Sequence, residues 1–118
     1  MKGDWSDDIA IIELADEPSL SDELTVLAKR LRDGPTTHVV LNFAGVTYVN
    51  SSNLAQLLEL KKIVGDTGRT LKLCSVVDQV WSVMLTTGLD KVFRFAPDPM
   101  TALAGLQLED ARRDQAGD

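Results

Sequence analysis

The sequence predicts an α/β fold: a small mixed sheet of about four strands with helices packed on it. Two observations point there. Runs of apolar, largely β-branched residues alternate with stretches whose apolar residues recur every three to four positions. Glycine, proline and acidic breakers separate them. The whole pattern fits within 118 residues, the size of one domain, so residues 1–118 are expected to form a single unit.

Ile9 to Leu14 is almost entirely apolar and suits a strand. Asp16-Glu17-Pro18 breaks it. Ser19 and Asp22 have the spacing of a helix N-terminal capping box, with Asp in place of Glu. Leu20, Leu24, Leu27, Ala28 and Leu31 then recur at helical spacing. Lys29, Arg30 and Arg32 sit in the last turn, where cations suit the helix dipole, and Gly34-Pro35 stops the helix. Val39, Val40, Leu41 and Phe43, interrupted only by Asn42, read as a strand covered on both faces. A loop is expected from Ala44 to Asn50.

The second helix follows, with Leu54, Leu57, Leu58 and Val64 on one stripe and Gln56, Glu59 and Lys62 opposite. Gly65 and Gly68 are read as its end. Leu71, Leu73 and Val76 predict a third strand, parallel to the one before it. Val77, Val80, Trp81, Met84 and Leu85 predict a short amphipathic helix stopped at Gly88. Val92 to Phe95 predicts a short strand. A last helix is expected from about Met100 to about Arg112, with Ala102, Leu103 and Leu106 inward. Residues 110–118 are expected to fray. One or two strands near the N-terminus are expected to run antiparallel, and Trp5 to cover a sheet edge.

Composition narrows the function. Hydrophobic residues make up 44% of the chain and charged residues 25%, as in a soluble globular protein. The net charge of −6 argues against sequence-independent binding to nucleic acid, which needs concentrated Lys and Arg. No apolar run is long enough to span a membrane. Met1 to Asp8 lacks the order of a signal peptide, so the expected location is the cytoplasm. The one cysteine, Cys74, lies in a strand-like run and reads as a small buried apolar group. The one histidine, His38, opens a strand and reads as structural or solvent-facing. One Cys and one His make no zinc site, no glycine-rich phosphate loop is present, and the carboxylates are scattered. No cofactor, metal or catalytic set is expected, and the chain is read as a protein-binding module.

One segment stands out, Val46-Thr47-Tyr48-Val49-Asn50-Ser51-Ser52-Asn53-Leu54, which joins a buried strand to a helix. Helix starts carry unpaired N–H groups and a partial positive charge. Asn50 or Ser51 as a plain N-cap accounts for these residues. Phosphorylation is the alternative: a phosphate there would meet the helix dipole and add about −1.5 to −2 charges to a surface that a partner could cover.

Val39-Val40-Leu41-Asn42-Phe43-Ala44-Gly45-Val46, Asn50-Ser51-Ser52-Asn53-Leu54 and Thr86-Thr87-Gly88-Leu89-Asp90-Lys91-Val92-Phe93 together resemble the STAS domain family, and more closely the bacterial anti-sigma-factor antagonists. The resemblance covers nearly the whole chain. It implies a protein that binds an anti-sigma factor that is also a serine kinase, and so releases a sigma factor. It implies that phosphorylation of the second serine, Ser52, breaks the complex and that a phosphatase restores it. Ser51 would then be the neighbouring cap, and Thr47, Tyr48, Asn50, Ser51, Ser52, Asn53 and Gln56 the docking surface. Two positions beside the acceptor depart from the family pattern, Asn50 where an acidic residue is usual and Asn53 where glycine is usual, and in the strand Asn42 stands where the family often has Asp. Those departures favour a second possibility, a non-phosphorylated STAS scaffold or subunit of a transport or signalling complex. A nucleotide-binding STAS module is a third, opposed by the missing phosphate loop.

Overall fold

The computed structural model of the chain describes residues 2–6 and 8–116. Five strands form one sheet in the order β1-β2-β3-β4-β5. They are β1 (Lys2–Trp5), β2 (Ile9–Ala15), β3 (His38–Gly45), β4 (Leu71–Cys74) and β5 (Arg94–Ala96). The helices are α1 (Ser19–Asp33), α2 (Ser51–Asp66), α3 (Asp78–Thr87) and α4 (Pro99–Ala116), with a 3-10 turn at Leu89–Lys91. β1 runs antiparallel to β2, and β2 through β5 are mutually parallel. The fold class agrees with the sequence reading, with five strands where about four were expected. The added strand is β1, a four-residue edge whose sequence KGDW has no apolar alternation of its own.

Strand alternation builds two cores. Ala10, Ile12, Leu14, Val39, Leu41, Phe43, Leu71 and Leu73 face α1, α2 and α3, whose Leu20, Leu24, Leu27, Leu57, Leu60, Val64, Val80 and Met84 close over them. Ile9, Val40 and Cys74 face the other way, onto Ala102 and Leu106 of α4. β3 is therefore covered on both sides, as its apolar run, interrupted only by Asn42, predicts. Burial pushes the Cys74 thiol above its ordinary pKa, in keeping with a structural role. Trp5 is half-buried at the β1 edge, and the Arg30 guanidinium lies over its ring at 3.7 Å. Trp81 is half-buried against the larger core and meets Phe95 edge to face at 5.0 Å.

Several local expectations are corrected. The Ser19–Asp22 capping box does not form, because Pro18 already lies in the α region and Ser19 becomes the first helical residue. Glu17 takes over, accepting from the Ser21 N–H and hydroxyl. Helix α2 runs through Gly65 to Asp66, and β4 ends at Cys74 rather than reaching Val76. Leu58 and Leu85 lie at the flanks of their stripes and are exposed. Val92 is exposed too, and β5 begins only at Arg94.

The C-terminal helix extends past Arg112 to Ala116, through most of the segment expected to fray, while residues 117 and 118 lie outside the described residues. Its tethers explain the extension. Glu109 pairs with Arg94 at 3.1 Å and Lys72 at 3.6 Å. Asp110 meets His38 Nε2 at 3.0 Å. His38 is buried, and its Nδ1 accepts from the Thr70 N–H at 3.0 Å, which assigns the ring proton to Nε2 and makes it the donor to Asp110. The histidine is structural: it joins β3, the entry to β4 and α4.

Candidate functional site

Because β2 and β3 are parallel neighbours, the chain leaves both at the same end of the sheet. The loop after β2 carries Asp16 and Glu17, and the loop after β3 carries Val46 to Asn50. Val46 and Val49 are buried and pin the second loop, leaving Thr47 and Tyr48 between them outward. Tyr48 is 64% exposed, a large aromatic surface on a held loop.

The Asp16 carboxylate joins the two loops. It accepts from the Thr47 N–H at 2.8 Å, the Thr47 hydroxyl at 2.7 Å and the Tyr48 N–H at 3.4 Å. These bonds, chiefly from the Thr47 hydroxyl, hold its pKa below the ordinary 3.8. Glu17 is likewise held below its ordinary value, chiefly by Ser21 and further by the Asn53 and Asn50 side chains. Two ionised carboxylates therefore stand beside the start of α2. From the sequence alone Asp16-Glu17 reads only as a breaker. Their position at the end of one of two parallel strands was the available signal.

Asn50 is the N-cap of α2. Its Oδ1 accepts from the Asn53 N–H at 2.8 Å, and Asn53 Oδ1 accepts from the Asn50 N–H at 3.0 Å, a complete capping box built from two asparagines. Asn50 is thus the cap, and Ser51 is already the first helical residue. The Asn53 side chain does not project beside Ser52 as an obstacle: it is fully buried, 0% exposed, with Nδ2 turned to the Ser21 hydroxyl at 3.5 Å. Gln56 is not on the outer side of α2 either. Its Nε2 donates to the Ser21 carbonyl at 3.1 Å and the Thr25 hydroxyl at 3.2 Å, so it ties α2 to α1.

Of the residues singled out from the sequence, the structure brings Thr47, Tyr48, Ser51 and Ser52 to one exposed surface, leaves Asn50 half-buried at its centre, and turns Asn53 and Gln56 inward. Both serine hydroxyls are exposed and have no hydrogen-bond partner among the described residues. Also among the described residues, no group of three or more His, Cys, Asp or Glu could hold a metal ion, and no helix is long and apolar enough to cross a membrane.

The family model described as "STAS domain" matches residues 11–102. Among solved structures, a putative anti-sigma factor antagonist from Thermotoga maritima is similar at 17% identity and a TM-score of 0.78, over 90% of this chain and 93% of that one. The anti-sigma factor antagonist SpoIIAA in its unphosphorylated form is similar at 14% identity and a TM-score of 0.76, over 90% and 95%. A sulfate transporter family protein from Wolinella succinogenes is similar at 19% identity and a TM-score of 0.68, over 86% and 84%.

Proposed function

The chain belongs to the STAS domain family, and from that premise we propose that it is an anti-sigma-factor antagonist of the partner-switching type. It docks on an anti-sigma factor that is also a serine kinase, in a bacterial cytoplasm. Phosphorylation of Ser52 ends the docking, and a phosphatase restores it. The docking surface is the Thr47-Tyr48 loop with Asn50, Ser51 and Ser52.

One observation carries the reading: Ser52 is an exposed, unengaged hydroxyl in the first turn of a helix whose cap is fully formed. A kinase can reach it without unfolding anything. The modified side chain adds about −1.5 to −2 charges next to two carboxylates already ionised. A partner that covers this surface must then desolvate more negative charge. The two departures beside the acceptor fit this reading. Asn50 caps as well as an acidic residue does, and Asn53 is folded away from the surface.

The test is affinity capture from the native cytoplasm with wild-type, Ser52→Ala and Ser52→Glu proteins side by side, followed by mass spectrometry. The proposal expects a kinase-like anti-sigma factor on the first two baits and its loss from the third. Equal capture of one partner by all three would leave a constitutive STAS scaffold, such as a subunit of a transport or signalling complex.

A further inference from the structure

The opposite end of the sheet carries a different feature. A pocket of about 160 Å³ is lined by Lys61, Arg69, Thr70, Leu71, Val92 and Arg94. It forms where the later half of α2 passes the starts of β4 and β5. Lys61 comes from α2, Arg69 from the turn leading into β4, and Arg94 from the first position of β5. Along α2, Lys61 is nine residues from Ser52, about 14 Å at 1.5 Å per residue. The pocket is thus separate from the surface proposed for docking.

Its charged lining is entirely cationic, on a chain with 18 acidic and 12 basic residues. Acidic partners are abundant in this chain, yet Lys61 and Arg69 have no ion pair or side-chain hydrogen bond among the described residues. Arg94 gives one Nη to Glu109 at 3.1 Å. The helix dipole does not account for the cluster, since it acts within the last turn and the last turn of α2 holds no basic residue. Three cations from three elements thus line one concavity, and among the described residues only Arg94 is paired within the protein.

We propose that this pocket binds a phosphate-type oxyanion. Size and chemistry both point to that class. The volume equals about five waters at 30 Å³ each, room for a five-atom tetrahedral anion. An arginine fork suits two oxygens of such an anion, Lys61 supplies a point charge, and the Thr70 hydroxyl can donate. Leu71 and Val92 form the apolar wall. The site takes either free phosphate or the phosphate group of a small metabolite.

The experiment is an amide-resolved NMR titration of the full chain with inorganic phosphate and with O-phosphoserine, against sodium chloride at matched ionic strength. Saturable shifts are expected at Lys61, Arg69 to Leu71 and Val92 to Arg94, with phosphate and absent with chloride. Arg69→Ala should weaken binding about tenfold, as the loss of one charge-assisted hydrogen bond implies, with the thermal midpoint unchanged. The tighter of the two ligands identifies the source of the phosphate. Shifts that never saturate, that chloride reproduces, or that Arg69→Ala and Lys61→Gln both leave intact would overturn the proposal. None of these outcomes bears on Ser52.

Discussion

Replacing Asn53 by alanine removes one half of the interlock at the start of α2. Asn53 accepts the Asn50 N–H and is fully buried. Two losses follow. The Asn50 N–H is left without its acceptor, which costs about 1 kcal/mol at this half-buried position, the low end of the range for unsatisfied donors. The vacated amide leaves a void larger than a methyl group, worth about 1 kcal/mol more. Alanine's better helix propensity returns at most about 0.7 kcal/mol. The cap bond from the Asn53 N–H to Asn50 Oδ1 uses the backbone and survives. The expected net loss is about 1–2 kcal/mol. With a urea m-value of about 2 kcal/mol/M, that lowers the unfolding midpoint by about 0.5–1 M with m unchanged. Tryptophan fluorescence on Trp5 and Trp81 follows the transition. The double variant with Asn50→Ala should cost less than the sum of the two singles, by at least about 0.5 kcal/mol, because both bonds belong to one box. A shift smaller than about 0.3 kcal/mol, or strict additivity, would refute the account of the interlock.

Two further predictions concern groups that hold the fold around the site. Asp16→Ala should destabilise the protein at neutral pH. Because the folded-state pKa of Asp16 lies below the ordinary 3.8, its contribution is present above that value and fades as the pH falls below it, so the gap between wild type and variant should close there in urea melts. His38→Ala should cost about 2–4 kcal/mol, since it empties a buried site and orphans the Thr70 N–H. Asp110→Asn should cost much less, because its amide oxygen can still accept from Nε2, and faster hydrogen exchange in α4 should distinguish the two.

Much of this architecture was legible because it is local. Ile9 to Leu14 and Val39 to Phe43 are short apolar runs, each broken by one polar residue, and their length, β-branched content and flanking breakers mark them as strands. Asn50 before a helical stripe is a capping signal readable without any partner. What escaped was tertiary. β1 is a strand because β2 offers it an edge, pairing Lys2 with Glu13 through Trp5 with Ala10. α4 continues past Arg112 because Asp110 meets a histidine 72 residues earlier in the chain. Helical period marks the apolar face of α2 and α3 but not how far its neighbours cover it, which is why Leu58 and Leu85 remain exposed. At the site the same limit applies. Asn53 looks like a surface residue by spacing, and the approach of Ser21 from α1, which Gln56 also grips, makes its position interior.

The interlock also decides how a charge at Ser52 would act. The Asn53 N–H is already taken by Asn50 Oδ1, and the Leu54 N–H by the Asn50 carbonyl. Only the first two helical N–H groups remain for a new anion, so there is little local structure for it to reorganise. A negative charge in the first turn gains about 0.3–1 kcal/mol from the helix dipole. Repulsion from the half-buried Asp16 and the exposed Glu17 carboxylates, screened by solvent, opposes it by a comparable amount. The two nearly cancel, so Ser52→Glu should change stability by less than about 0.5 kcal/mol and leave amide shifts beyond the first turn of α2 unmoved. In the proposed switch the modification therefore acts on the partner's approach and not on the fold. A loss of stability above about 2 kcal/mol, or shifts spreading along α2 into β4, would mean instead that the charge remodels the helix.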